Sequence, residues 1–284
     1  MNHGRNSFVH EKRGILFFRK IKFPTTNVVR FHAKNNFLGL LRSRCNEYDN
    51  VLIMAHGANH AILTTTTDLH RPYVAYIGKK DADALKNDFV FAVSCLTANE
   101  SGKCCVEKGS IAYLGYQVEI GCLFASDPGP QSNVSGSIIT AVNTLVKHIF
   151  IAELSKAYEE FLKTPISVRV LKERFAFAFE KRLAELSDMS AEQVYNKYSV
   201  KISERHYKAY AVKMILNVLA VLDDILPKLI CIGDENYISS SYIRFRKEAG
   251  FSSTEISEEL EANPYFQKLA HDEYKGYLRE IAVG

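Results

Sequence analysis

The fold is decided by the stretch from Asp88 to Tyr116, which reads DFVFAVSCLTANESGKCCVEKGSIAYLGY. The run from Phe89 to Val93 is apolar, rich in β-branched and aromatic residues and too short for a typical helix, so it predicts a strand buried on both faces. The strand ends at Ser94-Cys95, and a second apolar run follows from Ser110 to Tyr116. In open α/β sheets, ligands and reacting groups collect outside the carboxyl ends of the strands. The pattern therefore predicts a thiol at such an edge.

A histidine follows a similar strand upstream. The run from Val51 to Ala55 is again apolar and stops at His56-Gly57. The chain between His56 and Cys95 is long enough for a crossover connection, which favours parallel pairing of the two strands. Two adjacent parallel strands would place the imidazole of His56 and the thiol of Cys95 side by side.

The other elements of the first half are predicted from shorter patterns. Residues Met1 to Lys12 are polar and predict no anchored element. We expect two further strands, an amphipathic helix and a hairpin near His56. Their ranges are Gly14 to Phe18, Val28 to Phe31, Asn35 to Tyr48, and Ile62 to Thr67 with Tyr73 to Ile77.

Beyond Tyr116 the pattern changes to helices. A loop rich in Pro and Gly surrounds Asp127, and helical periodicity follows from Ser137 onward. Expected helices are Ile138 to Leu162, Ile166 to Leu186 opened by Thr164-Pro165, Ala191 to Tyr198 with a Ser190/Gln193 capping box, Tyr207 to Ile225, one capped by Ser252, and Pro264 to Ile281. We therefore predict an α/β fold, a mostly parallel sheet flanked by helices, followed by a largely α-helical C-terminal region. The predicted domains are 1–132 and 133–284.

Composition limits the function. The 284 residues are 47% hydrophobic and 24% charged, as in soluble globular proteins. The 36 Lys and Arg are scattered among 32 Asp and Glu, with a net charge of +4, so no basic patch predicts nucleic-acid binding. The longest apolar segment, Val212 to Leu226, is interrupted by Asn217 and two aspartates. We expect a cytoplasmic protein without a membrane partner.

The cysteines carry no CxxC pair, and disulfides are rare in cytosolic proteins, so each cysteine is by default a small buried residue with a free thiol, and we expect no metal site. They are Cys45, Cys95, Cys104, Cys105, Cys122 and Cys231. Cys95 departs from this default because of its position. Thiolate is the reactive form of cysteine, and His56 is the right residue type to take the proton. Gly57 lets a substrate approach closely, and its N–H with that of Cys95 would hold an oxyanion.

The sequence resembles the caspase-like (clan CD) cysteine peptidases in three runs: VLIMAHG at 51–57, FVFAVSC at 89–95 and IAYLGY at 111–116. The shared pattern is an apolar run ending in His-Gly, then a later one ending in Ala-Cys or Ser-Cys. The resemblance is closest to the CHAT type, in which a threonine follows the cysteine after one residue, as Thr97 does here. It implies a caspase-like sheet, Cys95 as nucleophile and His56 as general base and acid. It also implies Gly57 and Cys95 as oxyanion donors.

The resemblance leaves substrate preference open. Val93 stands where metacaspases carry an acidic residue, and the glutamine that caspases place before Ala-Cys is also absent. Asp127 is our candidate for binding a basic substrate side chain, although Asp-Pro-Gly commonly just makes a turn. His60 is a candidate for the rim of the cleft. A metal site formed by His56 and His60 is disfavoured because Gly57 interrupts any helix there, and no cofactor is expected.

Three functions remain open at this point. The first is a cysteine endopeptidase acting on protein or peptide substrates and controlled by a regulatory protein partner. The second is a catalytically inactive caspase-like scaffold for protein interactions. The third is a small α/β hydrolase or transferase using Cys95, ranked last because the chain has no Gly-x-Ser-x-Gly elbow, Walker loop or GxGxxG motif.

Overall fold

One mostly parallel sheet organises the structure, a computed structural model that describes residues 6–10, 26–28, 38–39, 42–43, 48, 50–65, 73–123 and 136–284. In spatial order the sheet contains β2 (Thr26–Val28), β1 (Asn6–His10), β3 (Asn50–Met54), β7 (Phe89–Val93), β8 (Ala112–Tyr116) and β9 (Leu229–Gly233). Neighbouring strands pair in parallel, except that β9 is antiparallel to β8. The predicted α/β class with a mostly parallel sheet is confirmed.

The two strands predicted to be buried on both faces lie at the centre of this sheet. Every residue of β7 is buried, and Val51, Leu52 and Ile53 of β3 are at most 2% exposed. The pair is in parallel register from Asn50 opposite Phe89 to Met54 opposite Val93. Both strands therefore end at the same edge of the sheet.

A second, antiparallel sheet follows β3. It consists of β4 (His56–Ala58), β5 (Ala61–Thr65) and β6 (Tyr73–Gly78). The predicted hairpin near His56 is confirmed, and the histidine itself begins the extra strand β4. A 3-10 helix, Lys79–Leu85, then leads to β7.

Helices make up most of the remaining described chain. The first, α1 (Ser101–Glu107), connects β7 to β8. The others are α2 (Gly136–Lys163), α3 (Val168–Ser187), α4 (Ala191–Tyr198), α5 (Glu204–His206), α6 (Val212–Ile225), α7 (Ser241–Glu248), α8 (Ser253–Ala262), α9 (Pro264–Lys268) and α10 (Asp272–Val283). Short 3-10 turns lie at Gly121–Leu123 and Leu226–Lys228, and a π-helix, Tyr207–Ala211, precedes α6.

The predicted helix ends are confirmed where a local cap specifies them. Ser190 and Gln193 form the expected capping box of α4, and Ser252 caps α8. The predicted cap at Thr164 is wrong: its hydroxyl donates to Glu160 O at 2.8 Å at the end of α2, and α3 begins only at Val168. The last predicted helix is two helices, because the chain leaves helical geometry between α9 and α10.

Four predictions concern the N-terminal part, and the strand predicted at 28–31 is described only at Val28, the last residue of β2. The prediction of no element in Met1 to Lys12 is wrong, because β1 lies there; its ladder partners β2 and β3 are distant in sequence, so local pattern does not indicate it. The predicted strand at 14–18 falls outside the described residues. Of the predicted helix at 35–48, residues 38–39 and 42–43 are described and helical, with Leu38 buried, whereas Tyr48 is described and is not helical.

The chain divides into two compact units. The first contains the described residues up to Val118 together with Tyr158–Lys172 and Leu229–Gly284, and the second contains Glu119–Ala157 and Glu173–Lys228. The division at 132/133 was predicted from sequence pattern and stays a prediction. The main sheet nevertheless takes β9 from beyond that point, so the C-terminal region is helical with one strand.

In the first unit, aromatic residues from the C-terminal segment pack on the sheet. Phe89 lies 5.1 Å from Phe161 and 5.4 Å from Tyr237 between ring centroids, and Tyr237 lies 4.9 Å from Tyr274. The buried Asn50 side chain donates to Ser239 Oγ at 2.9 Å and accepts from Tyr237 Oη at 3.1 Å. A polar group at the start of β3 is thus satisfied by the C-terminal segment, as burial requires.

The second unit has an aromatic core of its own. Phe150 packs edge-on against Phe175 and Phe179, at 5.2 Å from each ring centroid. Among the helices that the structure describes, α2 alone is long and apolar enough to cross a membrane by length and composition. This is weak evidence, since core helices pass the same test and Phe150 is 1% exposed.

Candidate active site

The candidate site is built where β3 and β7 end. Because Met54 lies opposite Val93 in the parallel ladder, the next residues of both chains leave the sheet at one edge. They are Ala55, His56 and Gly57 after β3, and Ser94 and Cys95 after β7. The sheet therefore brings together the predicted histidine and cysteine segments.

Ser94 joins the two segments through its hydroxyl. Its Oγ lies 2.8 Å from Ala55 O and 2.9 Å from His56 O, and the residue is 1% exposed. A serine hydroxyl has one proton to donate, so the two carbonyls share it. This buried contact holds the backbone of His56 against the residue that precedes Cys95.

Gly57 brings the backbones into direct contact. A Cβ placed on Gly57 would lie 2.2 Å from Cys95 O and 2.9 Å from Cys95 N, closer than real carbon atoms approach such groups. The neighbouring atoms are backbone, which cannot swing aside. Only glycine fits here, and the two residues predicted to supply oxyanion donors therefore touch.

The two candidate side chains differ in exposure. His56, the first residue of β4, is exposed, and Cys95 is half-buried. A half-buried thiol beside a segment with an exposed histidine can be reached by a substrate from the solvent side. This is the accessibility that reactive cysteines require.

The turn after Cys95 has unusual backbone geometry. Leu96 has a φ of +61°, in the left-handed region where a side chain costs about 1–2 kcal/mol. Its N–H donates to Val118 O at 3.2 Å, and its carbonyl accepts from Asn99 N at 3.1 Å. Such strain is retained where surrounding structure imposes it, and it is concentrated at functional sites.

Thr97 fills the space below the turn. It is fully buried, its hydroxyl donates to Ser94 O at 3.3 Å, and its Cγ2 would be 2.8 Å from a Cβ on Gly57. The threonine that carries the CHAT resemblance thus packs between the histidine segment and the cysteine turn.

A pair of asparagines also connects the two segments, and the sequence did not indicate it. Asn99 Nδ2 donates to Asn59 Oδ1 at 3.0 Å and to Gln117 O at 3.1 Å. The Asn59 carbonyl accepts from Glu100 N at 3.1 Å and Ser101 N at 2.9 Å, which satisfies donors at the start of α1. The only feature of the sequence that pointed to these two asparagines was the polar character of the residues after each strand.

An ion pair lies at the rim of the site. Lys79 Nζ is 2.6 Å from Glu100 Oε2. The bond raises the pKa of Lys79 and lowers the pKa of Glu100, to which the charge of His60 adds a smaller lowering effect. His60 is exposed in the turn between β4 and β5.

Two other thiols have a pKa that is raised by burial. Burial raises the pKa of Cys105 to about 12 and that of Cys231 to about 12, so both are protonated at neutral pH. Cys104 is half-buried like Cys95, and its Sγ lies 3.6 Å from Lys79 O. The side chains of Cys45 and Cys122 fall outside the described residues, as does Asp127.

A groove of about 490 Å³ lies elsewhere, at the opposite end of β8. Asp234 lines it, but its carboxylate already accepts from Asn236 N at 2.9 Å and Ala270 N at 2.6 Å. These bonds hold the loop after β9 in place. No group of three or more His, Cys, Asp or Glu in the described parts of the chain is arranged to hold a metal ion.

No protein-family model and no curated protein matches this chain.

Proposed function

We propose that this protein is a cysteine endopeptidase of the caspase-like type, with Cys95 as nucleophile and His56 as general base and acid. The observation that carries the proposal is the backbone contact of Gly57 with Cys95 at the carboxyl edge of two central parallel strands. This contact places a His-Gly segment directly beside a half-buried thiol.

The caspase-like assignment is supported by chain order and by Thr97. His56 follows one central strand and Cys95 follows its neighbour, the order that the resemblance implies. Thr97, two residues after the cysteine as in the CHAT type, packs against both segments. We therefore propose the CHAT type in preference to other caspase-like groups.

The proposed reaction begins with transfer of the Cys95 proton to His56. The resulting thiolate attacks the scissile carbonyl, and the C–S bond forms as the carbonyl π electrons move to oxygen. The N–H groups of Gly57 and Cys95 are the proposed donors to that oxyanion. His56 then gives its proton to the leaving amine as the oxyanion re-forms the carbonyl and the C–N bond breaks, which leaves a thioester on Cys95. Water attacks this thioester with His56 again as base, and the C–S bond breaks to release the acid and the Cys95 thiol.

The substrate side chain next to the cleaved bond stays undetermined. Asp127 is retained as the proposed partner of a basic side chain. His60, next to the Lys79–Glu100 ion pair, is retained at the cleft rim.

Labelling with an electrophilic peptide probe tests the proposal. Intact mass should show one probe on the wild-type protein, none at that position in Cys95→Ala, and labelling slowed by about 100-fold in His56→Ala, as general-base catalysis predicts. Peptide mapping should assign the modified residue to Cys95.

Cys104→Ala is the matched control, because Cys104 is also half-buried but lies in α1 and not at the end of β7. It should label at the wild-type rate. Equal labelling of several cysteines, or a rate that His56→Ala leaves unchanged, would contradict the dyad. The inactive caspase-like scaffold would then be the better explanation.

Control by a regulatory protein partner in the cytoplasm remains part of the proposal, because an uncontrolled endopeptidase would damage its own compartment. We propose that the partner docks on the helical region and acts on the segments 58–72 and 123–132. Cleavage that is equally fast with and without candidate partners would contradict this part.

A further inference from the structure

The helix α6 presents two faces of different character. Its inner face is buried in the second unit and consists of Met214, Ile215, Val218, Leu222 and Ile225. On the opposite face the central residues are Leu216 and Ala220, both exposed, and Leu216 retains 49% of its side-chain surface in solvent. This outer face is thus apolar at its middle.

Charges of opposite sign flank the apolar middle. Lys213 lies one turn before Leu216, and Asp223 lies one turn after Ala220. At a rotation of about 100° per residue, all four side chains fall within one side of the helix. No ion pair or hydrogen bond joins the side chain of Lys213 or Asp223 to another residue that the structure describes.

The order of these four residues is self-complementary. If a second α6 lies antiparallel across a two-fold axis at Val218, Lys213 faces Asp223 of the second copy and Leu216 faces Ala220 of the second copy. The axis generates each contact twice, as an isologous interface requires. A parallel pair would instead place like charges together and align the two helix dipoles unfavourably.

We propose that this protein forms a homodimer through α6, in an antiparallel helix pair closed by two Lys213–Asp223 ion pairs. Leu216 packs on the small Ala220 of the second copy, which allows the helices to approach closely. The interface is independent of the peptidase proposal, since none of its residues belongs to the candidate active site.

The size of the interface determines its expected strength. A helix of 14 residues is about 21 Å long, and one such pair buries less than the ~1,200 Å² of lasting complexes. We therefore expect a reversible dimer in the micromolar range. Because exposed ion pairs contribute, dimerisation should weaken as salt is added.

Sedimentation velocity of the full chain over a wide concentration range tests the proposal. The wild type should shift from monomer to dimer as concentration rises. Lys213→Asp and Asp223→Lys should each raise the dimer dissociation constant by about tenfold or more, because each places like charges opposite one another. Circular dichroism confirms that these exposed substitutions leave the fold intact.

Complementary charge reversal distinguishes this interface from any other. The double variant Lys213→Asp/Asp223→Lys, and an equimolar mixture of the two single variants, should both regain dimer. Lys201→Asp, an exposed reversal outside α6, should dimerise as the wild type does.

Three results would overturn the proposal. They are a wild type that stays monomeric at every concentration, a dimer that the single reversals leave unchanged, and reversals whose combination restores nothing. The first would leave this face to a different partner, and the second would place the dimer interface elsewhere.

Discussion

Gly57 is the residue on which contact between the two loops of the candidate site depends. Its missing side chain allows the backbone after β3 to rest on Cys95, with Thr97 packed beside it. Ser94 then fixes the position of one loop relative to the other through its hydrogen bonds to Ala55 O and His56 O. The arrangement of His56 and Cys95 therefore depends on small neighbouring residues that have no proposed role in the reaction.

Substitution of Gly57 should separate the two loops. In Gly57→Ala the new methyl group would meet Cys95 O at 2.2 Å, and backbone must move to relieve the clash. We expect the free energy of unfolding to fall by about 1–3 kcal/mol, as for overpacked sites. If the peptidase proposal holds, probe labelling of Cys95 should slow by about 100-fold, because small misplacements of reacting groups have effects of that size.

Gly276→Ala is the control for this experiment. Gly276 lies in α10, where a Cβ would meet nothing within 4 Å. Alanine should raise the free energy of unfolding by about 0.5–1 kcal/mol through better helix propensity and leave labelling unchanged. Chemical denaturation of both variants measures this, and equal stability of the two would contradict the close approach at Gly57.

The buried thiols predict how stability depends on alkaline pH. Burial raises the pKa of Cys105 and of Cys231 from 9.0 to about 12, so the folded state holds protons that the unfolded chain releases near pH 9. The stabilisation that these protonated thiols give the folded state is complete below pH 9 and is lost as pH rises towards 12. Each thiol should lower the free energy of unfolding by up to about 1.4 kcal/mol per pH unit in this window.

Cys105→Ala isolates one of these contributions. Its unfolding free energy should decline less steeply between pH 9 and 11 than that of the wild type, whatever its value at neutral pH. Denaturant titrations at several pH values measure the slopes, and identical slopes for Cys105→Ala and the wild type would contradict burial as the cause.

At the scale of elements, local signals explain which parts of the fold could be predicted. The strand β7 was predicted because its apolar run ends abruptly at polar residues, and α4 because Ser190 and Gln193 specify its cap. By contrast, β9 was missed: its LICIG sequence follows the long helix α6, whose apolar period appeared to continue to Leu226. Pro227 before it and Gly233 after it were the available strand signals.

The candidate site was predictable in position but not in its supporting contacts. His56 and Cys95 each lie two residues beyond the end of a strand, β3 and β7, so parallel pairing alone implied their proximity. The bonds between Asn59 and Asn99 depend on two loops that are 40 positions apart in sequence. No periodicity encodes such a contact, and only the folded register of β3 with β7 creates it.

At the scale of the whole molecule, the first unit is assembled from both ends of the chain. The described residues up to Val118 supply five of the six strands of the main sheet, and the segment Leu229–Gly284 supplies the last. Asn50, at the start of β3, has its side chain satisfied by Tyr237 and Ser239. Burial of the sheet and of its polar groups therefore requires chain that lies far downstream in sequence.

A fragment of residues 1–132 should for this reason fail to fold alone. It would leave β8 as an edge strand and expose Tyr113, Leu114 and Tyr116, each fully buried in the whole chain. It would also remove Phe161 and Tyr237 from Phe89. We expect no cooperative unfolding transition, poorly dispersed amide resonances and aggregation through the open edge.

Adding the fragment 133–284 provides the decisive comparison. If the fragment 1–132 fails to fold because it lacks β9 and the aromatic residues, mixing the two fragments at equal concentration should restore dispersed amide resonances and protection from proteolysis. The full-length chain is the reference for both measurements. Cooperative unfolding of the fragment 1–132 alone would instead mean that it is an independent domain, and that pairing of β8 with β9 stabilises an already folded sheet.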